Sequence, residues 1–269
     1  MDLLSAVVLG AVQGLTEFLP VSSSGHLILA RAFFGWDPGR FGVPFDVACH
    51  VGTLLAIVAY FWRDILRLIA AAPGALAGRD GEDERLGRMI IVGTIPVVVV
   101  GGLFADAIET TFRSPAVVAA ALAIGAVGLI IADRIGTQGR EARSLGYGEA
   151  LIIGVAQTFA LVPGISRSGS TLTAAIAMDV KRASAARFVF LLSLPAVLAA
   201  AIKEGLVLYK IGIEAVPVTI FAVGLIVSGI VGYVTVKFFI RYLAAHTMMV
   251  FAVYRLALAA VTVVWLLSR

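Results

Sequence analysis

The polar residues able to do chemistry fall in two short stretches of an otherwise apolar chain. In the first, Gln13 and Glu17 are four positions apart, so on a helix they share one face. A carboxylate at Glu17 can hold a hard divalent cation, Mg²⁺ or Ca²⁺, with water and substrate oxygens completing the shell. A Glu17–Gln13 hydrogen bond, or neutralisation of Glu17 by Arg167, is the purely structural alternative. Beyond Glu17 the helix breaks at Pro20, and Ser22-Ser23-Ser24-Gly25-His26 brings together three hydroxyls and an imidazole. Serine hydroxyls donate to phosphate oxygens or attack as nucleophiles, and His26 can act as general acid or base near neutral pH. The same serines also make good helix N-caps. In the second stretch, Ser166-Arg167-Ser168-Gly169-Ser170-Thr171 sets a planar guanidinium among hydroxyls at the expected start of a helix, where free N–H groups bind anions. Arg167 lies between apolar flanks, which makes snorkelling to the interface difficult. A metal, an arginine and a helix N-terminus converging on one point are tools for stabilising phosphoryl transfer.

The elements that position these groups follow from composition. Of 269 residues, 60% are hydrophobic and 14% charged, and the mean hydropathy is +1.01. Soluble domains run at about 45–50% apolar and about 25% charged. A soluble enzyme and a disordered chain are therefore excluded in favour of an integral membrane protein. A membrane barrel would alternate along strands of about 10 residues, whereas the apolar blocks here are continuous in Ala, Val, Leu and Ile. The expected fold class is all-α, with six crossings at 45–62, 89–109, 116–133, 187–202, 216–236 and 249–267. Two further apolar regions, 3–30 and 147–180, are interrupted by Pro20–His26 and Pro163–Ser170. Each half is shorter than the roughly 20 residues a crossing needs. Both regions read as re-entrant helical hairpins whose freed backbone groups are satisfied by protein or water. Residues 63–88, with Arg79-Asp80-Gly81-Glu82-Asp83-Glu84-Arg85, read as a solvated surface loop.

The interrupted regions match each other. A gapless shift of 144 places Gly10 on Gly154, Gln13 on Gln157, Ser22 on Ser166, Ser24 on Ser168 and Gly25 on Gly169. The chain thus reads as one membrane domain, 1–269, made of repeat 1 (1–134) and repeat 2 (145–269), each a hairpin followed by three crossings. Three is odd, so the repeats are expected to insert upside down relative to each other, with the site where the two breaks meet. Arg63, Arg67, Arg79, Arg85, Arg88, Arg134, Arg140, Arg143, Lys181, Arg182, Arg187, Lys237 and Arg241 fall on one side. Only Arg31, Arg40, Arg113, Lys203, Lys210 and Arg269 fall on the other. The positive-inside rule puts the richer side in the cytoplasm and both termini outside. The net charge of +4 is then a matter of orientation, not of nucleic-acid binding. Cys49 is the single cysteine, which excludes an internal disulfide and a multi-cysteine metal site. Met1-Asp2 leads into the first apolar stretch with no basic region, so a cleaved signal peptide is not expected.

Other polar positions are ambiguous. Asp46 and His50 share a helix face, fit for a cap and an interhelical hydrogen bond or for catalysis. Arg255, inside the last crossing after Tyr254, suits a carboxylate counter-ion or a lipid headgroup contact. His246 lies in a loop without a motif.

Gln13-Gly14-Leu15-Thr16-Glu17-Phe18-Leu19-Pro20-Val21-Ser22-Ser23-Ser24-Gly25-His26 and Pro163-Gly164-Ile165-Ser166-Arg167-Ser168-Gly169-Ser170-Thr171 closely resemble the two signature motifs of the bacterial undecaprenyl-pyrophosphate phosphatases, the bacitracin resistance family. The likeness extends over essentially the whole chain. It implies a divalent-cation-dependent enzyme of the bacterial inner membrane that converts undecaprenyl pyrophosphate to undecaprenyl phosphate and inorganic phosphate, recycling the lipid carrier of cell-wall synthesis. The family's acidic motif has Glu or Gln first and Glu four residues on. Here Gln13 comes first, so the two-carboxylate version of the metal site is absent and Glu17 is the acidic candidate. Mapped by the resemblance, Glu17 holds metal or tunes His26, Ser23 is the favoured nucleophile and His26 its acid/base partner. Arg167, Ser166, Ser168 and Thr171 clamp the pyrophosphate, with Gln13, Ser22, Ser24, Gly25 and Gly169 forming the rest of the binding site. Attack by Ser23, by His26 or by water is left open.

The competing expectation is a polyprenyl-phosphate flippase or anion transporter, because inverted repeats with broken helices are also a transporter design. The expected partners are a polyprenyl pyrophosphate and membrane lipids, with no nucleic acid. A homodimer is left open.

Overall fold

The computed structural model describes residues 3–36, 43–211 and 217–269. Met1 and Asp2, on which the signal-peptide expectation rests, and Arg40, counted for orientation, lie outside the described residues. The described chain forms ten α-helices: α1 (Leu3–Thr16), α2 (Ser23–Phe34), α3 (Val43–Leu76), α4 (Glu82–Thr111), α5 (Pro115–Ile135), α6 (Tyr147–Thr158), α7 (Arg167–Ala177), α8 (Arg182–Ile211), α9 (Val218–Leu243) and α10 (Met249–Leu267). Six of them, α3, α4, α5, α8, α9 and α10, are long and apolar enough to cross a membrane. The four short helices α1, α2, α6 and α7 come from the two interrupted regions, and the breaks fall at the two motifs.

The region 63–88 differs from expectation, being mostly helical. α3 leaves helical geometry at Phe61 (φ −99°, ψ 16°) and then resumes to Leu76. Its extension carries its own helical ion pair, Arg67 to Asp64 at 2.5 Å. α4 begins at Glu82 with Glu82, Asp83 and Glu84 in its first turn, where negative charge complements the helix dipole. Arg88 reaches back to the carbonyls of Ala75 at 3.2 Å and Arg79 at 2.6 Å. Charge alone pointed to a loop, but amphipathic turns and dipole-matched acids make the same charges compatible with helix.

The two motif regions are seated by small residues. α1 packs on α9, and α6 on α4. A Cβ on Gly14 would lie 2.7 Å from the Ser228 carbonyl oxygen, and one on Gly154 only 2.2 Å from that of Gly93. Such close backbone approach is how helices associate in lipid, where no hydrophobic drive separates protein from solvent. Gly154→Val is therefore expected to destabilise the fold by about 1–3 kcal/mol through overpacking. Thermal unfolding in detergent measures this, with Gly148→Ala, which has open space around it, as the unchanged control. An equal midpoint for the two variants would show that the α4–α6 seam is loose.

The base of the α6–α7 hairpin is closed by a backbone bridge between Arg140 and Val180. The Arg140 N–H donates to the Asp179 carbonyl at 3.0 Å, and Lys181 N–H to the Arg140 carbonyl at 2.8 Å. The Asp179 carboxylate accepts from the Thr137 amide and hydroxyl, and these bonds hold its pKa below the usual range. Around the tips runs a chain of rings, with Phe18 to Phe190 at 5.8 Å, Phe190 to Phe239 at 6.1 Å and Phe239 to Phe251 at 5.3 Å. Phe18 belongs to the first motif, so this core reaches the residue next to Glu17.

Candidate functional site

The same turn is built twice. Ser22 (φ 72°, ψ 95°) caps α2 and Ser166 (φ 74°, ψ 119°) caps α7. Left-handed backbone is uncommon outside glycine and persists where surrounding bonds impose it, often at functional sites. Here the imposing bonds are visible. Ser22 Oγ accepts from Gly25 N at 3.3 Å, and Ser166 Oγ from Gly169 N at 3.1 Å. Ser24 and Ser168 hydroxyls stand 3.3 and 3.1 Å from these caps. N-capping, one reading of these serines, is thus realised.

The two turns also interlock. Gly164 N donates to Ser22 Oγ at 3.0 Å, and Ser168 Oγ donates to the Leu19 carbonyl at 2.9 Å. Gly164 itself is left-handed (φ 103°), and a Cβ on Gly25 would lie 3.3 Å from its Cα. Glycine at 25 lets the second turn approach this closely.

Glu17 is the junction, at 9% exposure. Arg167 Nη2, from the other motif, donates to Glu17 Oε1. Ser23 Oγ donates to Glu17 Oε2 at 2.5 Å, and Gln13 Nε2 to the same oxygen at 3.0 Å. Both structural alternatives for Glu17, the amide bond and the arginine, are thus present, and Ser23 is added to them. A hydroxyl on an ionised carboxylate is among the stronger protein hydrogen bonds.

His26 does not pair with Ser23. Its Nδ1 lies 2.7 Å from the Ser22 carbonyl, and its Nε2 lies 2.7 Å from the Tyr254 hydroxyl. A carbonyl only accepts, so Nδ1 carries the proton, and in the neutral ring Nε2 accepts from Tyr254. The rings stack at 5.6 Å. The titratable side chain in contact with Ser23 is therefore Glu17.

A cavity of about 10 Å³ opens beside the ion pair, lined by Glu17, Arg167, Ser168, Thr171 and, from α8, Ser193 with its apolar neighbours. It is large enough for about one water and far too small for a diphosphate. Thr171 Oγ1 bonds the Arg167 carbonyl at 2.7 Å, so its hydroxyl steadies the first turn of α7. Ser193 and Tyr254 escaped sequence reading, because neither lies in a motif.

The ambiguous residues resolve differently. Asp46 pairs with Arg31. His50 Nδ1 bonds the Asp46 carbonyl at 2.9 Å. Arg255 is fully buried, and its guanidinium donates to four backbone carbonyls. No carboxylate pairs with it among the described residues.

Among the described residues no cluster of three His, Cys, Asp or Glu could hold a metal. The donors beside Glu17 are nevertheless of the right kind. Gln13 Oε1 is buried without a hydrogen-bond partner, next to a carboxylate. One carboxylate and one amide oxygen fit a hard cation that takes its remaining ligands from water and phosphate.

The sequence profile described as bacitracin resistance protein BacA matches residues 6–261. An undecaprenyl-diphosphatase of Rubrobacter xylanophilus is 46% identical over 99% of both chains. One of Moorella thermoacetica is 43% identical, also over 99% of both, and one of Thioalkalivibrio sulfidiphilus is 44% identical over 97% of both. With two motifs interlocked at Glu17 and relatives matched end to end, this chain belongs to the bacitracin resistance protein BacA family.

Proposed function

We propose that this chain is a membrane hydrolase that converts undecaprenyl diphosphate to undecaprenyl phosphate and inorganic phosphate. The observation that carries the reading is Glu17, which receives a hydroxyl from one motif and a guanidinium from the other. The relatives named undecaprenyl-diphosphatase match over nearly the whole chain. A flippase or anion carrier needs the guanidinium cradle but has no use for a hydroxyl held on a carboxylate.

The diphosphate takes over the Arg167 fork and the free N–H groups at the starts of α2 and α7. Ser23 Oγ then attacks the terminal phosphorus. The Oγ–P bond forms, the bond from that phosphorus to the bridging oxygen breaks, and undecaprenyl phosphate leaves with the electron pair. The Ser23 proton passes to Glu17. Water then attacks the phosphoserine phosphorus and gives up a proton to His26, the P–Oγ bond breaks, Glu17 returns its proton to Ser23 Oγ, and inorganic phosphate leaves. His26, oriented through Nδ1, presents Nε2 to that water once the water takes the place of the Tyr254 hydroxyl. Ser22, Ser24, Ser166 and Ser168 hold the turns, Gly25 lets them approach and Gly169 leaves room for Arg255, so these residues act on the diphosphate through the shape of the cradle. Mg²⁺ or Ca²⁺ would be held by Glu17 and Gln13 Oε1, and when bound it supplies positive charge to the diphosphate oxygens.

The site lies in the bacterial inner membrane at the tips of two re-entrant hairpins, in repeats of opposite orientation, with both termini outside. The hairpin base at Arg140–Val180, the twice-built turn and the Lys/Arg bias support this arrangement. The basic loops gather at one end of the bundle, with Arg187 3.3 Å from Asp64 and Arg85 2.7 Å from the Leu145 carbonyl.

The test is phosphate release from farnesyl or undecaprenyl diphosphate by the purified protein. EDTA is expected to lower the rate by at least about tenfold, as befits loss of Lewis-acid charge stabilisation, with Mg²⁺ or Ca²⁺ restoring it. No release from folded protein would remove the enzyme reading, and an EDTA-insensitive rate would remove the metal.

A further inference from the structure

We propose that Arg255 is a positioning residue for the reaction, fastening the two motif turns to each other and to α5 so that Ser23, Glu17 and Arg167 stay in register. The inference rests on the hydrolase reading above for its kinetic consequence, but not for its structural one.

Arg255 extends from α10 into the bundle. Its Nη1 donates to the Pro20 carbonyl at 3.0 Å, in the first turn, and its Nη2 to the Gly164 carbonyl at 2.9 Å, in the second. Its Nε and Nη2 donate to the carbonyls of Leu122 at 3.1 Å and Ala121 at 3.2 Å, both in α5. One planar group thus holds three segments by four bonds. Chain breaks inside a membrane leave carbonyls that must find donors, and Arg255 supplies donors to both breaks at once. Room for it is built in. A Cβ on Gly125 would lie 1.9 Å from Nη2, and one on Gly169 lies 2.9 Å from Nη1. The guanidinium is the far end of a long side chain, yet four bonds and full burial leave it nowhere to retreat. A buried charge kept without a carboxylate partner is expensive, and the cost is met by dipoles that the two turns must aim inward. The neighbouring Tyr254 holds His26 Nε2 at 2.7 Å, so this turn of α10 touches both motifs.

The experiment compares Arg255→Met, Arg255→Lys, Gly125→Ala and the control Gly128→Ala, whose added Cβ meets only Thr173 at 3.6 Å. Each is purified in detergent and checked by thermal unfolding. Displacing reacting groups by about 1 Å costs on the order of 10²-fold in rate. Arg255→Met is expected to lose about that in kcat, with KM within about threefold. Arg255→Lys keeps the charge but cannot span three segments, so it should stay about tenfold below wild type. Gly125→Ala, which leaves Arg255 chemically intact but evicts it, should fall in the same direction, while Gly128→Ala stays at wild-type rate. Amide hydrogen exchange at Val21 and Gly164 should speed up together by about tenfold or more in Arg255→Met. This readout does not depend on the substrate, so it decides the fastening role even if the wild type releases no phosphate. Full kcat in Arg255→Lys, a loss confined to KM, or exchange that quickens in neither turn would each overturn the proposal. If Arg255→Met does not fold, Arg255→Lys and Gly125→Ala carry the decision.

Discussion

Arg167→Ala is expected to lower kcat/KM by about three to five orders of magnitude, the range seen when an arginine that neutralises a transferring phosphoryl group is lost. The guanidinium is the positive side chain that meets Glu17, and it stands at the first residue of α7, where backbone N–H groups add to its field. Arg167→Lys should recover little, because a point charge cannot grip two phosphate oxygens as a planar fork does. Removing Arg167 also strands a buried carboxylate, so the single variant should unfold at lower temperature than the double variant Arg167→Ala/Glu17→Gln. Steady-state phosphate release with thermal unfolding checks both statements. A loss smaller than about tenfold in a folded Arg167→Ala protein would place the diphosphate elsewhere.

The second large effect separates kcat from KM. Glu17→Gln removes the acceptor that takes the Ser23 proton, and kcat is expected to fall by about 10²–10⁴, the usual contribution of a positioned base. KM should fall at the same time. In the described structure Glu17 occupies the guanidinium that the proposed mechanism gives to the diphosphate, and an amide competes for it far less well. Inhibition by inorganic phosphate should tighten for the same reason. Ser23→Ala, placed in a cycle with Glu17→Gln, should give strongly non-additive losses, since either change alone disables the pair. Unchanged KM and phosphate affinity would show that the ion pair does not gate binding.

Much of this was legible in the sequence where the signal is local. The six apolar stretches, the two breaks and the polar residues at them follow from hydropathy and from Pro and Gly positions; each stretch lies largely within one long helix, although α3 runs on to Leu76, α4 begins at Glu82 and α9 runs on to Leu243. The stretch 63–88 misled because charge density marks water exposure, and a helix running out of the membrane is exposed too. The partner of Ser23 was not legible. His26 is nearer to it in the chain, yet helical geometry points the imidazole back at Ser22 and on to Tyr254, 228 residues away. Arg255 was visible as an oddity, but its role depends on carbonyls at Pro20, Ala121, Leu122 and Gly164, and a carbonyl has no sequence signature.

The seating of the short helices has a further consequence. α1 lies on α9 and α6 lies on α4, so each half of the polypeptide clasps an element of the other, as in an exchanged dimer joined by a tether. Neither half owns a finished interior. A change that loosens either half is therefore expected to loosen the candidate site as well, since each half completes the other's packing.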